Sequence, residues 1–233
     1  AGLSLAPDGS PLADRAPAPH HYTPASEIID GLGRVVATVG RTGAEPSGAR
    51  LIQVKHHITG YPLEVTDPAG RVTMTAHYDR LGRALRTTSA DAGDRWRLFD
   101  AQDREFWYCD ADGRAVLQTF DGAGRPVDYW ARDDGAIPLT LRQRIEYGDQ
   151  GDRATGRERN LLGQPVRHFD EAGLVELHAY DLKGNTLAQR RRFLRTDAVD
   201  TSSVVDWAAP GATGLLDQRS YATDLRLDAV DRV

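Results

Sequence analysis

Short runs of alternating or β-branched hydrophobic residues recur along the chain, and turn-forming residues separate them. Two clear runs are Arg71–Tyr78 (RVTMTAHY) and Ala115–Phe120 (AVLQTF). Alternation with a period of two is typical of strands covered on one face, and Val, Thr, Tyr and Phe favour strands. The pattern therefore predicts an all-β chain of short strands joined by tight turns.

A six-residue motif marks the junctions between these runs: an aromatic or other apolar residue, Asp, two variable residues, Gly, and Arg or Asn. Its clearest copies begin at Tyr78, Phe120 and Tyr180, and weaker copies begin at Ile29, Thr66, Phe99, Cys109, Arg159, Phe169 and Leu227. Its polar residue falls at positions 100, 110 and 121, and again at 160, 170 and 181. This spacing equals one strand plus one tight turn, so the repeat predicts consecutive antiparallel β-hairpins in a twisted sheet.

The motif has the chemistry of a turn. Asp in the first position of a type I turn accepts hydrogen bonds from backbone amides two residues on, and Gly in the fourth adopts positive φ. The following Arg can lie over an aromatic face while its guanidinium stays hydrated. We predict a structural role for the turn residues Asp30, Gly33, Asp67, Gly70, Asp79, Gly82, Asp110, Gly113, Asp121, Gly124, Asn160, Gly163, Asp170, Gly173, Asp181 and Gly184. Asn160 keeps a turn-forming side chain, and Asp103, in place of Gly, tolerates left-handed φ.

The repeat also divides the chain into regions. Residues 1–26 are rich in Pro, Ala and Asp, which predicts an extended linker or a covering segment. Residues 27–233 are predicted to form the repeat sheet, with an irregular insertion at 186–225. The motif-like sequence just before the last residues indicates a piece of a longer protein.

Within the predicted insertion two segments differ in character. Leu187–Arg195 fits either a short helix or a long strand. Thr196–Gly214 is rich in Asp, Ser, Pro and Gly, so we predict a loop there, anchored by a buried Trp207.

Composition narrows the function classes. The net charge of −5 gives no electrostatic footprint for nucleic acid, and no apolar run approaches the roughly 18 residues of a membrane span. The single cysteine, Cys109, excludes an intrachain disulfide framework. The glycines precede strands rather than helices, so no phosphate-binding loop is present and no cofactor is expected.

The later half of the chain resembles the YD-repeat, or Rhs, family, and most of all the Rhs-repeat region of the B component of insecticidal toxin complexes (Tc toxins). The resemblance rests on three features in this order: Asn160–Val175 (NLLGQPVRHFDEAGLV), Tyr180–Asn185 (YDLKGN) and the pair Asp206-Trp207. It extends over about residues 28–233.

This resemblance implies both a fold and a function. Such proteins build an antiparallel ribbon that spirals into a hollow shell around a toxic segment, and the B component also carries a propeller that docks on a translocation channel. The chain is accordingly expected to be a secreted, non-enzymatic section of shell wall. The expected partners are the remaining shell, the enclosed effector and a translocation-channel component, with no nucleic acid and no membrane span.

A self-cleaving protease is a weaker interpretation. Shells of this family release their cargo at a Pro-x4-Asp-Pro-x-Gly sequence followed by a large apolar residue. Pro62 and Asp67 match that spacing, but Arg71 stands where the apolar residue is required. We therefore interpret Asp67 as a turn residue.

Metal sites are likewise disfavoured. Asp110-Ala111-Asp112-Gly113 suggests a calcium loop, but the EF-hand pattern has Glu where Asp121 stands. The pairs His20-His21 and His56-His57 suggest zinc, yet neighbours in a strand point to opposite faces and no third ligand has suitable spacing. We expect strand histidines there, and a small buried hydrophobe at Cys109.

Carbohydrate or receptor binding is the main alternative function. Trp96, Trp107, Tyr108, Tyr129 and Trp130 are close together in the repeat region, and aromatic side chains on an open sheet can stack on sugars. Adjacent aromatics alternate between faces, so one member of each adjacent pair is expected in the inner layer.

Overall fold

The computed structural model describes residues 23–43, 48–197, 204–228 and 230. The expectations for residues 1–22, including His20 and His21, lie outside them. The chain divides into two compact units between Arg95 and Trp96.

The first unit is an antiparallel sheet in which each strand pairs with the one before it. Its strands are β1 (Ser26–Ile29), β2 (Val35–Arg41), β3 (Ala49–His56), β4 (Pro62–Thr66), β5 (Val72–Tyr78) and β6 (Ala84–Ser89). Strand β7 (Gly93–Phe99) begins here and continues into the second unit.

The second unit repeats the same connectivity. Its further strands are β8 (Glu105–Cys109), β9 (Ala115–Phe120), β10 (Pro126–Arg132), β11 (Thr140–Tyr147), β12 (Pro165–Asp170), β13 (Gly173–Tyr180), β14 (Thr186–Phe193) and β15 (Tyr221–Asp224). Each pairs antiparallel with its predecessor. The predicted all-β fold of consecutive antiparallel hairpins is confirmed.

Two segments differ from the sequence prediction. Residues 186–193 and 221–224, which we assigned to an irregular insertion, are strands β14 and β15, so Leu187–Arg195 lies mainly in a strand. The motif periodicity lapses there, but β14 still pairs with β13 over most of its length. The hairpin between β11 and β12 contains a 3-10 turn at Gly148–Gln150 and helix α1 at Arg153–Glu158.

Most strands are covered only partly, because large parts of each sheet carry no second layer. Every residue of β4 and β6 has intermediate exposure, and β3 is exposed at six of its eight positions. Stability in these regions must come from strand pairing and from contacts between turns more than from a deep core.

The main hydrophobic core lies in the second unit, where residues 204–216 fold back over the sheet; we call these residues the covering segment. Its buried members are Leu141, Phe169, Leu174, Val205, Trp207, Ala212 and Leu216. Trp207 is 7% exposed, and its indole Nε1 donates to the Asp170 carbonyl at 3.1 Å. The predicted burial of Trp207 is therefore confirmed, whereas the end of the predicted loop is a 3-10 helix at Ala212–Leu215.

Candidate functional site: braced turns and a tryptophan face

Asp79 shows the geometry that the regular turns share. Its Oδ1 accepts backbone N–H bonds from Leu81 at 2.8 Å and Arg83 at 3.0 Å. The Gly82 N–H donates to the Asp79 carbonyl at 3.1 Å, and Gly82 has a φ of 84°. The same pattern recurs at Asp30, Asp67, Asp100, Asp110, Asp121 and Asp181, whose turns close with Gly33, Gly70, Asp103, Gly113, Gly124 and Gly184. One carboxylate oxygen thus satisfies two backbone donors in each turn.

The arginine after a turn also binds the turn carboxylate, a contact that the sequence interpretation missed. Arg83 Nε and Nη2 each lie 2.6 Å from Asp79 Oδ2. The same pairing joins Arg34, Arg71, Arg104 and Arg125 to their own turns. Charge-assisted hydrogen bonds of this kind are shorter and stronger than neutral ones. The last residue of the motif therefore stabilises the turn by binding the carboxylate of its first turn residue.

These bonds lower the pKa of the turn carboxylates. The pKa of Asp30 falls from its ordinary 3.8 to about 2, chiefly because the backbone N–H and then the guanidinium of Arg34 donate to it. The pKa values of Asp67, Asp79, Asp100 and Asp121 are lowered for the same reason. A carboxylate with a lower pKa in the folded state stabilises the fold above its unfolded pKa, and this contribution is lost as pH falls through the folded pKa.

We expect the free energy of unfolding to decrease as the pH falls from about 4 to about 2, because the turn carboxylates become protonated in that window. Urea unfolding at a series of pH values, followed by circular dichroism, measures this. Asp79→Asn is the matched control, because its amide oxygen can accept the two N–H bonds but cannot titrate. Its stability should fall less steeply with acid, and equal slopes for both proteins would contradict the assignment.

Side chains also brace one turn against the next turn on the same edge of the sheet. Arg104 Nη1 donates to the Gly124 carbonyl at 2.7 Å, and its guanidinium carbon lies 3.9 Å from the centre of the Phe120 ring. Arg125 lies 4.0 Å from the ring centre of Tyr147. Each arginine therefore covers an aromatic that belongs to the following repeat on that edge, which adds a cation–π contact between repeats.

A histidine occupies a turn that the motif search did not find. The His57 N–H donates to the Tyr61 carbonyl at 2.8 Å, and the Gly60 N–H donates to the His57 carbonyl at 2.9 Å. His57 Nδ1 lies 2.7 Å from the hydroxyl of Thr59, where the other turns use Asp. His57 is thus a turn residue and was wrongly predicted to be in a strand, whereas His56 ends β3. The sequence signal for this turn was His57-Ile58-Thr59-Gly60, which lies at the repeat spacing and has Gly in the last position.

The turn at Asn160 differs from its prediction. The Asn160 side-chain amide donates to the Tyr180 carbonyl at 3.0 Å. The backbone N–H of Gly163 instead donates to Asp149 Oδ1 at 2.8 Å, and Asp149 also binds Arg125. Asp149 therefore supplies the carboxylate for a turn that begins eleven residues later in the chain.

The turn at Asp170 is tighter than the motif predicts. Asp170 pairs directly with Gly173, so only two residues form the loop. Asp170 Oδ1 accepts N–H bonds from Ala172 and Gly173, and its carboxylate forms a two-pronged pair with Arg191 of β14 at 2.7 and 2.8 Å. In this turn the arginine is therefore not the residue after the turn but one that lies 21 residues further along the chain.

One side of the sheet in the second unit carries a row of large apolar side chains. We call it the tryptophan face and define it as Trp96, Leu98, Trp107, Leu117 and Trp130. Residues directly opposite on paired strands share a face. Trp107 pairs with Leu98 and Leu117, Leu117 pairs with Trp130, and Trp130 pairs with the core residue Leu141. Trp96 and Leu98 are each 44% exposed, so this face continues from the covered core into an open apolar surface.

The opposite face carries tyrosines instead. Tyr108 pairs with Val116, and Tyr129 pairs with Gln118. Tyr108, Val116 and Tyr129 line two open depressions of about 460 and 360 Å³. The predicted alternation of the aromatic pairs thus places the tryptophans on one side and the tyrosines on the other.

The other candidate chemical residues have local partners. Asp67 Oδ2 accepts from Arg71 Nε at 2.8 Å, and the backbone N–H of Arg71 together with this bond lowers the pKa of Asp67, as in the other turns. Arg114 Nη1 lies 3.5 Å from Asp110 and 3.1 Å from Asp112, so a cation already lies beside these carboxylates. Among the described residues, no group of three or more His, Cys, Asp or Glu has the geometry to hold a metal ion. No helix in the described part of the chain is long and apolar enough to cross a membrane.

The fold and its turns define the class of protein, a chain of serial β-hairpins closed by Asp- and Gly-containing turns. No family model matches the chain. Two curated toxin subunits from Yersinia entomophaga are similar to the chain. YenC2 is 27% identical over 238 residues, which cover 91% of this chain and 24% of YenC2. YenC1 is 23% identical over 184 residues, which cover 72% of this chain and 19% of YenC1. The chain therefore spans a quarter or less of the length of these relatives.

Solved structures of toxin complexes have the same fold. The Photorhabdus luminescens Tc holotoxin pore superposes with a TM-score of 0.73 at 23% identity, covering 95% of this chain and 11% of that chain. The TcdB2–TccC3 crystal structure gives 0.71 at 24% identity, covering 91% and 11%. The predicted resemblance to YD-repeat, toxin-complex proteins is confirmed.

Proposed function

We propose that this chain is a section of the wall of a toxin-complex shell that encloses a toxic effector polypeptide. The tryptophan face carries the proposal, because it continues from the covered core at Trp130 into an open apolar surface at Trp96 and Leu98. The similarity to toxin subunits and to the Tc holotoxin fold supports the shell assignment. The role is structural and non-enzymatic, and the protein acts outside the cell that produces it.

The tryptophan face is the side that we assign to the enclosed polypeptide. A chain that has not folded exposes apolar side chains, and many weak apolar contacts can hold it without a unique docking pose. The half-exposed Trp96 and Leu98 lie at the open end of this face. The remaining shell and a translocation channel are the other partners in the proposal.

Binding of a permanently unfolded polypeptide to the 233-residue chain tests the proposal. Reduced and carboxymethylated α-lactalbumin serves as the probe, and fluorescence anisotropy measures its binding. We expect Trp96→Ser/Trp107→Ser to weaken binding at least about tenfold, which corresponds to about 1.4 kcal/mol. The matched control is Tyr108→Ser/Tyr129→Ser, which alters the same part of the sheet on its opposite face and should bind as wild type.

Carbohydrate binding is the second candidate, favoured by the tyrosine-lined depressions on the other face. A glycan array separates the two. Two results together would replace the shell proposal with carbohydrate binding. The chain would bind glycans but not the unfolded probe, and the glycan binding would be lost in the tyrosine variant, in Trp107→Ala or in Trp130→Ala. Equal binding of the unfolded probe by both double variants would contradict the choice of face.

A further inference from the structure

A half-open cavity of about 490 Å³ lies in the second unit. One of its walls is the segment around helix α1, and the other is formed by strands β11, β12 and β13. It shares no lining residue with the tryptophan face or with the tyrosine-lined depressions. The cavity is therefore separate from the surfaces to which a role has been assigned.

A row of alternating charges crosses the strand wall of the cavity. Glu146 lies opposite Arg167, and Arg167 lies opposite Glu176. Arg167 Nη1 donates to Glu146 Oε2 at 3.0 Å. Glu176 has a side chain that is 24% exposed, and its one ion pair among the described residues is with Arg192 at 3.9 Å, which is too long for a hydrogen bond. A largely buried carboxylate is thus left with unused acceptor capacity, which is costly.

His178, two residues further along β13, contributes a second unused group to the cavity. Its Nε2 is buried and has no hydrogen-bond partner in the described part of the chain. The register of β13 with β14 shifts between Leu177 and Ala179, so His178 has no residue opposite it on β14. Bulges of this kind re-aim a side chain and are common beside active sites. With the ring proton on Nδ1, Nε2 is a hydrogen-bond acceptor.

The rest of the lining selects the chemistry of an occupant. Three carboxylates and two guanidiniums line the cavity, which gives an excess of one negative charge beside a neutral histidine. Tyr147, Leu161 and Leu177 add apolar surface. An ammonium group has three donors and no acceptor, so it can bond a carboxylate and an imidazole nitrogen together. An alkyl chain on that ammonium would lie against the apolar part.

We propose that this cavity binds a primary ammonium group on an alkyl chain, with Glu176 and His178 as its acceptors. A lysine side chain and a free diamine both have this chemistry. Glu176 lies two residues after the core residue Leu174, so both are on one face of β13, and Trp130 of the tryptophan face packs against that core. In the shell the occupant is a lysine of the enclosed polypeptide, a step that rests on the proposed function.

Titration of the nitrogen-15-labelled chain with n-pentylamine tests the ammonium site. The backbone amide signals of Glu176 and His178 should shift, with a Kd of about 1 mM for so small a ligand. The neutral isostere 1-pentanol and the anion pentanoate should each bind at least about tenfold more weakly. Equal binding of pentanol and pentylamine, or tighter binding of pentanoate, would overturn the proposal.

Two pairs of variants assign the binding to its residues. Glu176→Gln should weaken pentylamine binding about tenfold or more, and His178→Phe several-fold. Glu158→Gln is the matched control for charge, because Glu158 is exposed in α1 and does not line the cavity. His168→Phe is the control for the ring, because His168 precedes the core residue Phe169 and points to the opposite face. Wild-type affinity in Glu176→Gln would overturn the proposal, and if that variant does not fold, the comparison of the three ligands on the wild type decides.

The lysine step is tested with the unfolded α-lactalbumin probe after acetylation of its lysines, which removes their charge. The acetylated probe should bind the wild type several-fold more weakly than the unmodified probe, and Glu176→Gln should not distinguish the two. Binding that is insensitive to acetylation but still weakened by Trp96→Ser/Trp107→Ser would overturn the lysine step and support the shell proposal. Binding of pentylamine and of 1,5-diaminopentane without any binding of the unfolded probe would support the ammonium site, contradict the proposed function and assign the cavity to a free diamine.

Discussion

Replacing Trp207 with Ala should lower the free energy of unfolding of the second unit by about 3–5 kcal/mol, the usual cost of removing a large buried aromatic. The Trp207 ring packs on Phe169 with centroids 5.0 Å apart, and its backbone N–H donates to the Leu141 carbonyl at 3.0 Å. The truncation also removes the donor to the Asp170 carbonyl. It therefore releases the covering segment from the sheet and leaves a cavity beside the fully buried Leu141.

Urea unfolding followed by circular dichroism measures this loss, and amide hydrogen exchange locates it in β11–β14. Trp96→Ala is the matched control in the same unit, because Trp96 is 44% exposed and outside the core. Its cost should be about 1 kcal/mol or less. Comparable losses for the two variants would mean that the covering segment does not hold the core.

The regular turns could be predicted from the sequence because their hydrogen bonds are local. At Asp79 the acceptor and both backbone donors lie within four residues, so the motif contains all of them. The aromatic pairs could also be assigned to opposite faces, since strand alternation depends only on the period of two.

What the sequence did not reveal depends on contacts between distant residues. The carboxylate of Asp149, and not the Asn160 side chain, accepts from the Gly163 N–H because the 3-10 turn places Asp149 beside Gly163. Arg191 reaches Asp170 from a different strand, and nothing in the motif specifies that pair. For β14 the sequence left a helix and a strand both open, because TLAQRRRF lacks a clear hydrophobic alternation and pairing with β13 decides its structure.

The sheet is stabilised by a different balance of interactions in different places. In the second unit, the covering segment gives β11–β13 a conventional core, whereas β7–β9 retain a half-exposed apolar face. An uncovered apolar face is costly for an isolated soluble chain. Its presence beside a well-covered region is the reason that we assign a binding role to the tryptophan face.

Gly173→Ala should be the most destabilising single change among the turn glycines, at about 3–5 kcal/mol, because strain and a backbone collision add. Gly173 has a φ of 141°, a conformation that residues with a Cβ rarely adopt. An added Cβ would lie 2.2 Å from the Arg192 carbonyl oxygen. That oxygen belongs to the paired strand β14, so relief requires separating two strands beside the core residue Leu174.

Gly163→Ala is the control that isolates the collision. Gly163 also has positive φ, 79°, but a Cβ there would meet nothing within 4 Å. Only the left-handed strain of about 1–2 kcal/mol remains. In chemical unfolding, the free energy of unfolding of Gly173→Ala should therefore be well below that of Gly163→Ala. A Gly173→Ala protein that is too unstable to purify, beside a normal yield of Gly163→Ala, would give the same order. Equal stabilities would show that β14 can move away from the two-residue turn. The close approach of the Arg192 carbonyl to Gly173 would then not be the reason for glycine at this position.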